Sequence, residues 1–162
     1  MNRYSNKKER AERLVNFQRE KTERGKMGMA EAGQAGQRRL DRGPLPVSIN
    51  LEAKAIENEN YLNVLWTGAH MQLTVMSVDV GSEIPMEVHE GEEQLIYIER
   101  GEAEIIVMSS ENKAELSEKL KSGYCAVIPS SKHHRVKNIG DRELKLFSVY
   151  APPVHMRGTV QR

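Results

Sequence analysis

Glu87 and His89 stand two residues apart just ahead of an apolar run, and the polar stretch PSSKHHRVKN further along the chain adds His133 and His134. If residues 86–89 are extended, Glu87 and His89 point the same way, because side chains alternate across a strand with period 2. Imidazole nitrogens and carboxylate or carbonyl oxygens are donors that divalent transition metals accept. Two histidines, a carboxylate and an amide arriving on separate strands could therefore enclose one metal ion.

Such a cluster needs strands to carry it, and the sequence supplies them. Arg42-Gly43-Pro44-Leu45-Pro46 reads as a rigid extended lead-in, since each proline fixes its own φ and moves the preceding residue out of the helical region. Val47 to Leu51 is expected as a first strand, followed by Leu62 to Thr67 and a turn at Gly68-Ala69-His70. Leu73 to Val80 is rich in β-branched residues. Leu95 to Ile98, Ala103 to Met108, Tyr124 to Ile128 and Leu144 to Tyr150 complete the set. Turn signals lie between them at Gly81, Gly101, Ser109 to Lys113, Gly123 and Asn138-Ile139-Gly140-Asp141. Ser110 to Lys121 is read as a hairpin loop or a brief helix. Many short strands without intervening helices point to an all-β, closed or two-sheet antiparallel domain.

The 162 residues suffice for one domain with an extension. Residues 1–42 hold 12 Lys/Arg against 6 Asp/Glu, and residues 43–162 hold 12 against 17. The expected organisation is a basic N-terminal arm over 1–42 and a β-domain over 43–162. Ser5 can cap a helix reaching about Glu23, whose apolar stripe of Ala11, Leu14, Val15 and Phe17 is thin. Without aromatic interleaving, and with acids mixed in, the arm reads as solvated or subunit-crossing rather than as a nucleic-acid grip. Cys125, the single cysteine, is expected to be a buried structural thiol and fits a reducing compartment. No apolar stretch has the length of a membrane span, and the polar start lacks a signal-peptide core, so a cytoplasmic location is expected.

Both clusters resemble the two sequence motifs of the cupin superfamily. The first motif places a glycine five residues before a His-x-His pair, then a glutamate, then six residues and a glycine. Counted from Gly81, the pair falls on Glu87 and His89; counted back from Gly101, the glutamate position falls on Gln94. The second motif matches Gly123, Pro129, His134 and Asn138 in full spacing, with Ser131 where the family has an inner glycine. The C-terminal segment LKLFSVYAPPVHMRGTV is similar to the ending of small bacterial single-domain cupins likened to mannose-6-phosphate isomerase. The resemblance implies a double-stranded β-helix (jelly-roll) barrel, a homodimer, and a metal held by Glu87, His89, Gln94 and His134.

The usual three histidines and one glutamate carry one negative charge. The set here also carries one, with the carboxylate moved to the first position. A rival register uses Glu93 in place of Gln94, but Gln94 shares its strand face with Ile96 and Ile98, whereas Glu93 lies on the other face. His133 ranks behind its neighbour His134. His70 and His155 match no ligand position and read as surface or rim residues, His155 as one that could line the mouth. Met76 and Met86 near the site read as core and gap filler.

These donors suit Fe, Mn, Ni, Co or Zn without selecting among them. Four protein ligands on a six-coordinate ion leave two open places, which could serve a sugar-phosphate isomerase, a dioxygenase or a simple binder of a small polar molecule. Glu87 is either a ligand or a general base. The alternative is a non-catalytic small-molecule-binding or structural cupin with no bound metal.

Overall fold

The computed structural model describes residues 41–109 and 113–162. The expected N-terminal helix and all but the last two residues of the basic arm lie outside them. The described chain forms α1 (Leu51–Glu57) and ten strands: β1 (Leu62–Thr67), β2 (Gln72–Val78), β3 (Glu83–Glu87), β4 (Glu93–Arg100) and β5 (Glu102–Met108), then β6 (Ala114–Lys121), β7 (Cys125–Ile128), β8 (His133–Asn138), β9 (Leu144–Ala151) and β10 (Val160–Gln161). They build a six-stranded sheet in the order β10-β1-β2-β9-β4-β7 and a four-stranded sheet in the order β3-β8-β5-β6. Every pairing is antiparallel.

Each of the first nine strands sends residues into one core between the sheets, among them Val64, Met76, Ile84, Ile96, Ile105, Leu120, Ile128, Val136 and Leu146. The alternation that a sheet imposes writes this core into the sequence. On β4 the inward row reads Gln94, Ile96, Ile98; on β8 it reads His134, Val136, Asn138; on β9 it reads Leu144, Leu146, Ser148, Tyr150. Inward residues are thus aliphatic through most of the barrel and turn polar toward the end that holds Gln94, His134, Ser148 and Tyr150.

Four expectations change. Val47 to Leu51 is not a strand: Asn50 caps α1 by accepting from the Ala53 N–H at 3.1 Å. α1 then lays Leu51 and Ala55 with Ile49 over Leu65, Val75, Leu73 and Phe147 on the outer face of the six-stranded sheet. The segment expected as a hairpin loop or brief helix is mostly β6, paired with β5 along its length apart from a bulge at Glu115. Leu116 and Leu120 are four residues apart, a spacing that puts them on one face of either a helix or a strand, and the β5 ladder decides for the strand. Cys125 is exposed rather than buried, because inward Ala126 and Ile128 on four-residue β7 turn Cys125 and Val127 outward. Leu73 to Val80 ends two residues early, at Val78, and begins one early, at Gln72.

The lead-in is bound to the barrel before Gly43. Asp41 accepts hydrogen bonds from the N–H groups of Thr67 (3.0 Å), Gly43 (2.9 Å) and Gly158 (3.2 Å) and from the Thr67 hydroxyl (2.6 Å). One buried carboxylate therefore ties the entry of the domain, the end of β1 and the C-terminal strap together. Burial acts to raise its pKa, but the hydrogen bonds from Thr67, Gly43 and Gly158 and the charge of Arg157 outweigh it and hold Asp41 below its ordinary value. At the tight turn between β4 and β5, Gly101 has φ of 100°, and an added Cβ would meet the Leu144 Cα at 3.2 Å. Among the described residues, Ser131 is the non-glycine residue with positive φ, 63°, at the position where the cupin motif places glycine.

Two outcomes follow from these geometries. Ser131→Gly relieves a left-handed conformation that costs an L-residue roughly 1–2 kcal/mol and gives part of that back as unfolded-chain entropy, so it should stabilise the protein by about 0.5–1 kcal/mol in urea unfolding. Asp41→Asn keeps an acceptor but loses the charge, and should cost about 1–2 kcal/mol at pH 7. Because the folded pKa of Asp41 is depressed, its contribution is complete above the ordinary carboxylate pKa and is lost as pH falls through the lower folded value. The stability gap between wild type and Asp41→Asn should therefore narrow below about pH 4; a gap independent of pH would show that the charge contributes nothing.

Candidate metal centre

β3 and β8 pair with Glu87 opposite His134 and Ile84 opposite Val136. Three steps on β3 thus answer two on β8, which marks a β-bulge. The extra residue reverses the alternation: from inward Ile84, regular pleating would turn Met86 inward, and the bulge turns Glu87 inward instead. Met86 is exposed. β3 stops at Glu87, so His89 sits in the β3–β4 loop rather than on the extended run expected for 86–89. The Ser131 N–H donates to the His89 carbonyl at 2.8 Å, and the Gly91 N–H donates to the Ser130 hydroxyl at 2.8 Å. The β7–β8 turn thereby fixes the loop that carries His89.

A carboxylate oxygen of Glu87 lies 3.4 Å from His89 Nε2 and 3.3 Å from His134 Nε2. The ligand-capable atoms of these three residues all lie within 4.8 Å of one another. His134 is 1% exposed, and its Nδ1 lies 3.1 Å from the Lys132 carbonyl. A carbonyl only accepts, so Nδ1 carries the proton and, in the neutral ring, Nε2 presents a lone pair to the Glu87 carboxylate. Two acceptors at that distance repel unless a proton or a cation lies between them. When protons fill the gap, burial still acts to raise the Glu87 carboxyl, and the hydrogen bonds and charge of the His134 and His89 imidazoles outweigh it, holding Glu87 at about 2.

Gln94 is buried on β4, with Tyr150 opposite it on β9 and Ile128 opposite it on β7. Its amide nitrogen reaches the Ser148 hydroxyl at 3.4 Å, and its Oε1 has no partner. Glu93 is exposed, as the alternation predicts, and His133 points outward at the start of β8. His89 Nε2 and His134 Nε2 are, like Gln94 Oε1, buried atoms without a directed hydrogen bond.

Three residues that the sequence motifs did not single out surround this cluster. The ring of His89 meets Tyr150 edge-on at 5.5 Å, and Tyr150 meets His155 edge-on at 5.1 Å. Burial, with the Glu87 charge, pushes the hydroxyls of Tyr150 and Tyr61 up, so both stay neutral. Tyr150 could have been found by continuing the inward row of β9 beyond Ser148; Tyr61 precedes β1 and carries no such signal. His70 is exposed, and Met76 belongs to the core.

The Cupin domain family model matches residues 74–150, which runs from β2 to β9. The uncharacterized protein YrkC of Bacillus subtilis is 35% identical over 120 residues, 74% of this chain and 64% of YrkC, so the match leaves about a third of YrkC unspanned. The uncharacterized protein L612 of Acanthamoeba polyphaga mimivirus is 33% identical over 113 residues, 69% of each chain. The crystal structure of BH2720 from Bacillus halodurans is 37% identical and superimposes with a TM-score of 0.72, covering 75% of this chain and 92% of that one. The two-sheet barrel, the motif spacing and these matches agree: the chain belongs to the cupin superfamily.

Proposed function

We propose that this cupin domain holds a divalent metal ion through Glu87, His89, Gln94 and His134, and uses it to bind a small polar metabolite and transform it in an isomerase-like or dioxygenase-like way. The observation that supports the reading is a set of buried ligand atoms without a directed hydrogen bond, Nε2 of His89, Nε2 of His134 and Oε1 of Gln94, beside the Glu87 carboxylate. Leaving a buried polar atom unsatisfied costs about 1–3 kcal/mol each, and one cation would relieve all three together with the Glu87 repulsion.

A bound metal would supply a Lewis acid with open positions for an oxygen-bearing ligand. The chain contributes the rest. The Lys132 carbonyl selects the His134 tautomer, which orients Nε2 inward before any ion arrives. The Ser148 hydroxyl does the same for Gln94 by occupying the amide nitrogen and leaving the carbonyl oxygen free. Glu87 brings the only charge in the ligand set, so a divalent ion would leave the centre with one net positive charge, which favours an anionic ligand.

Full-length protein prepared without chelator or nickel resin should bind about one Mn²⁺ per chain. Gln94→Ala should weaken Mn²⁺ binding by roughly tenfold or more, the scale on which even outer-shell losses act. Glu93→Ala, on the solvent face of the same strand, should leave it unchanged, and Gln94→Glu should tighten it by adding a second carboxylate. Wild-type protein that takes up no Mn²⁺ sinks the metal reading, and loss of binding in Glu93→Ala alone would mean that Glu93 is the ligand.

A further inference from the structure

We propose that His155 is a ligand-positioning residue of this site, using Nε2 to bind an oxygen of a small carboxylate anion seated at the metal. The proposal rests on the metal centre described above and adds to it a residue outside the motif-matched set.

His155 follows β9 on the Ala151-Pro152-Pro153 strap, and its ring stands edge-on to Tyr150, which also meets the His89 ring edge-on. The ring nitrogen Nε2 is buried and has no partner. The backbone of His155 does not need that nitrogen to stay in place. Gln72, fully buried on β2, donates from its amide nitrogen to the His155 carbonyl at 2.8 Å and accepts the His155 N–H at 2.9 Å. The ring position is therefore set by the Gln72 clamp and the Tyr150 face, and Nε2 is left over. A buried donor or acceptor left unpaired within an otherwise satisfied segment is a costly arrangement that a binding partner would relieve.

The missing partner is not the metal itself. Glu87, His89 and His134 have ligand atoms within 4.8 Å of one another, and His155 is not part of that group. It is nevertheless near: a single ring, Tyr150, stands between it and His89, with centroids 5.1 and 5.5 Å away. A group at that range, beyond coordination and within electrostatic reach, suits contact with a molecule that itself sits on the ion. The net positive charge expected of the metal-loaded centre selects an anion, and the single imidazole nitrogen selects an oxygen that can share a hydrogen bond with it. A small hydroxy-carboxylate combines both properties.

Glycolate serves as the probe, with Mn²⁺-loaded full-length protein. His155→Phe retains a ring against Tyr150 and removes Nε2, while His155→Gln places an amide near the same point. Mn²⁺ affinity should stay within about twofold of wild type in both, since neither change touches a ligand. Glycolate affinity should fall about tenfold in His155→Phe, the size of one lost hydrogen bond to a charged group, and recover most of that in His155→Gln. Loss of Mn²⁺ binding in a folded His155→Phe overturns the proposal by making His155 a metal ligand. Unchanged glycolate affinity, equal losses in both variants, or a wild type that binds Mn²⁺ and no glycolate also overturns it, and leaves the metal centre standing. A wild type that binds no Mn²⁺ removes the centre and this residue's role together.

Discussion

Two acceptors facing each other inside a barrel, the Glu87 carboxylate and the lone pair that the Lys132 carbonyl forces onto His134 Nε2, form the contact on which the rest of the site depends. Their repulsion is what the proposed reading turns into cation binding, before any particular ion is considered. In the proposed reading a metal would relieve it and would also take the orphaned oxygen of Gln94. The surrounding structure keeps the pair from relaxing apart. β3 and β8 are hydrogen-bonded on either side of the bulge, and the β7–β8 turn grips the loop bearing His89. A less constrained site would let Glu87 swing to solvent.

The same strands explain why a polar site can exist in a small domain at all. The inward rows spend most of their length on Ile, Leu and Val, and these form one continuous core spanning both sheets. On β4 and β9 the polar residues stand at one end of the row, beside His134 at the start of β8. Burial of the aliphatic part supplies the driving force for closure, and the end layer is carried along. Thr74 and Ser148 of this layer, outside the proposed ligand set, are satisfied: the Thr74 hydroxyl donates to the Ser148 carbonyl, and the Ser148 hydroxyl accepts from the Gln94 amide. In this layer the unsatisfied atoms are those of His89, Gln94 and His134 in the ligand set and of its neighbour His155.

Much of this was legible in the residues and some of it could not have been. Alternation along β4 placed Gln94 inward and Glu93 outward, and the structure agrees. Motif spacing brought Glu87, His89 and His134 to one place, although the reason first given for Glu87 and His89, a straight strand through residue 89, is not how the chain achieves it. The bulge before Glu87 has no sequence signature of its own, because it is defined by the partner strand. β6 was missed since its leucines fit either periodicity and its Glu and Lys residues favour helix. Cys125 was misplaced because its apolar neighbours suggested a buried run, whereas on a short strand one residue's offset reverses exposure. His155 was legible only as a residue that could line the mouth, since its position is set by the tertiary bonds to Gln72, and Tyr61 lies in an irregular segment without a periodic signal.

The clamp at Gln72 has a chemical corollary. Its side chain donates to Thr67 and to the His155 carbonyl while accepting the His155 N–H, so it functions as a piece of backbone supplied by a side chain. Only a primary amide offers donor and acceptor in that arrangement. A carboxylate of nearly identical shape would accept the N–H but confront two oxygens with no proton to offer, and would do so with no exposure to water. A Gln72→Glu exchange would therefore release His155 from the barrel, while the Asp41 bond to Gly158 and the β1–β10 pairing still hold the end of the chain.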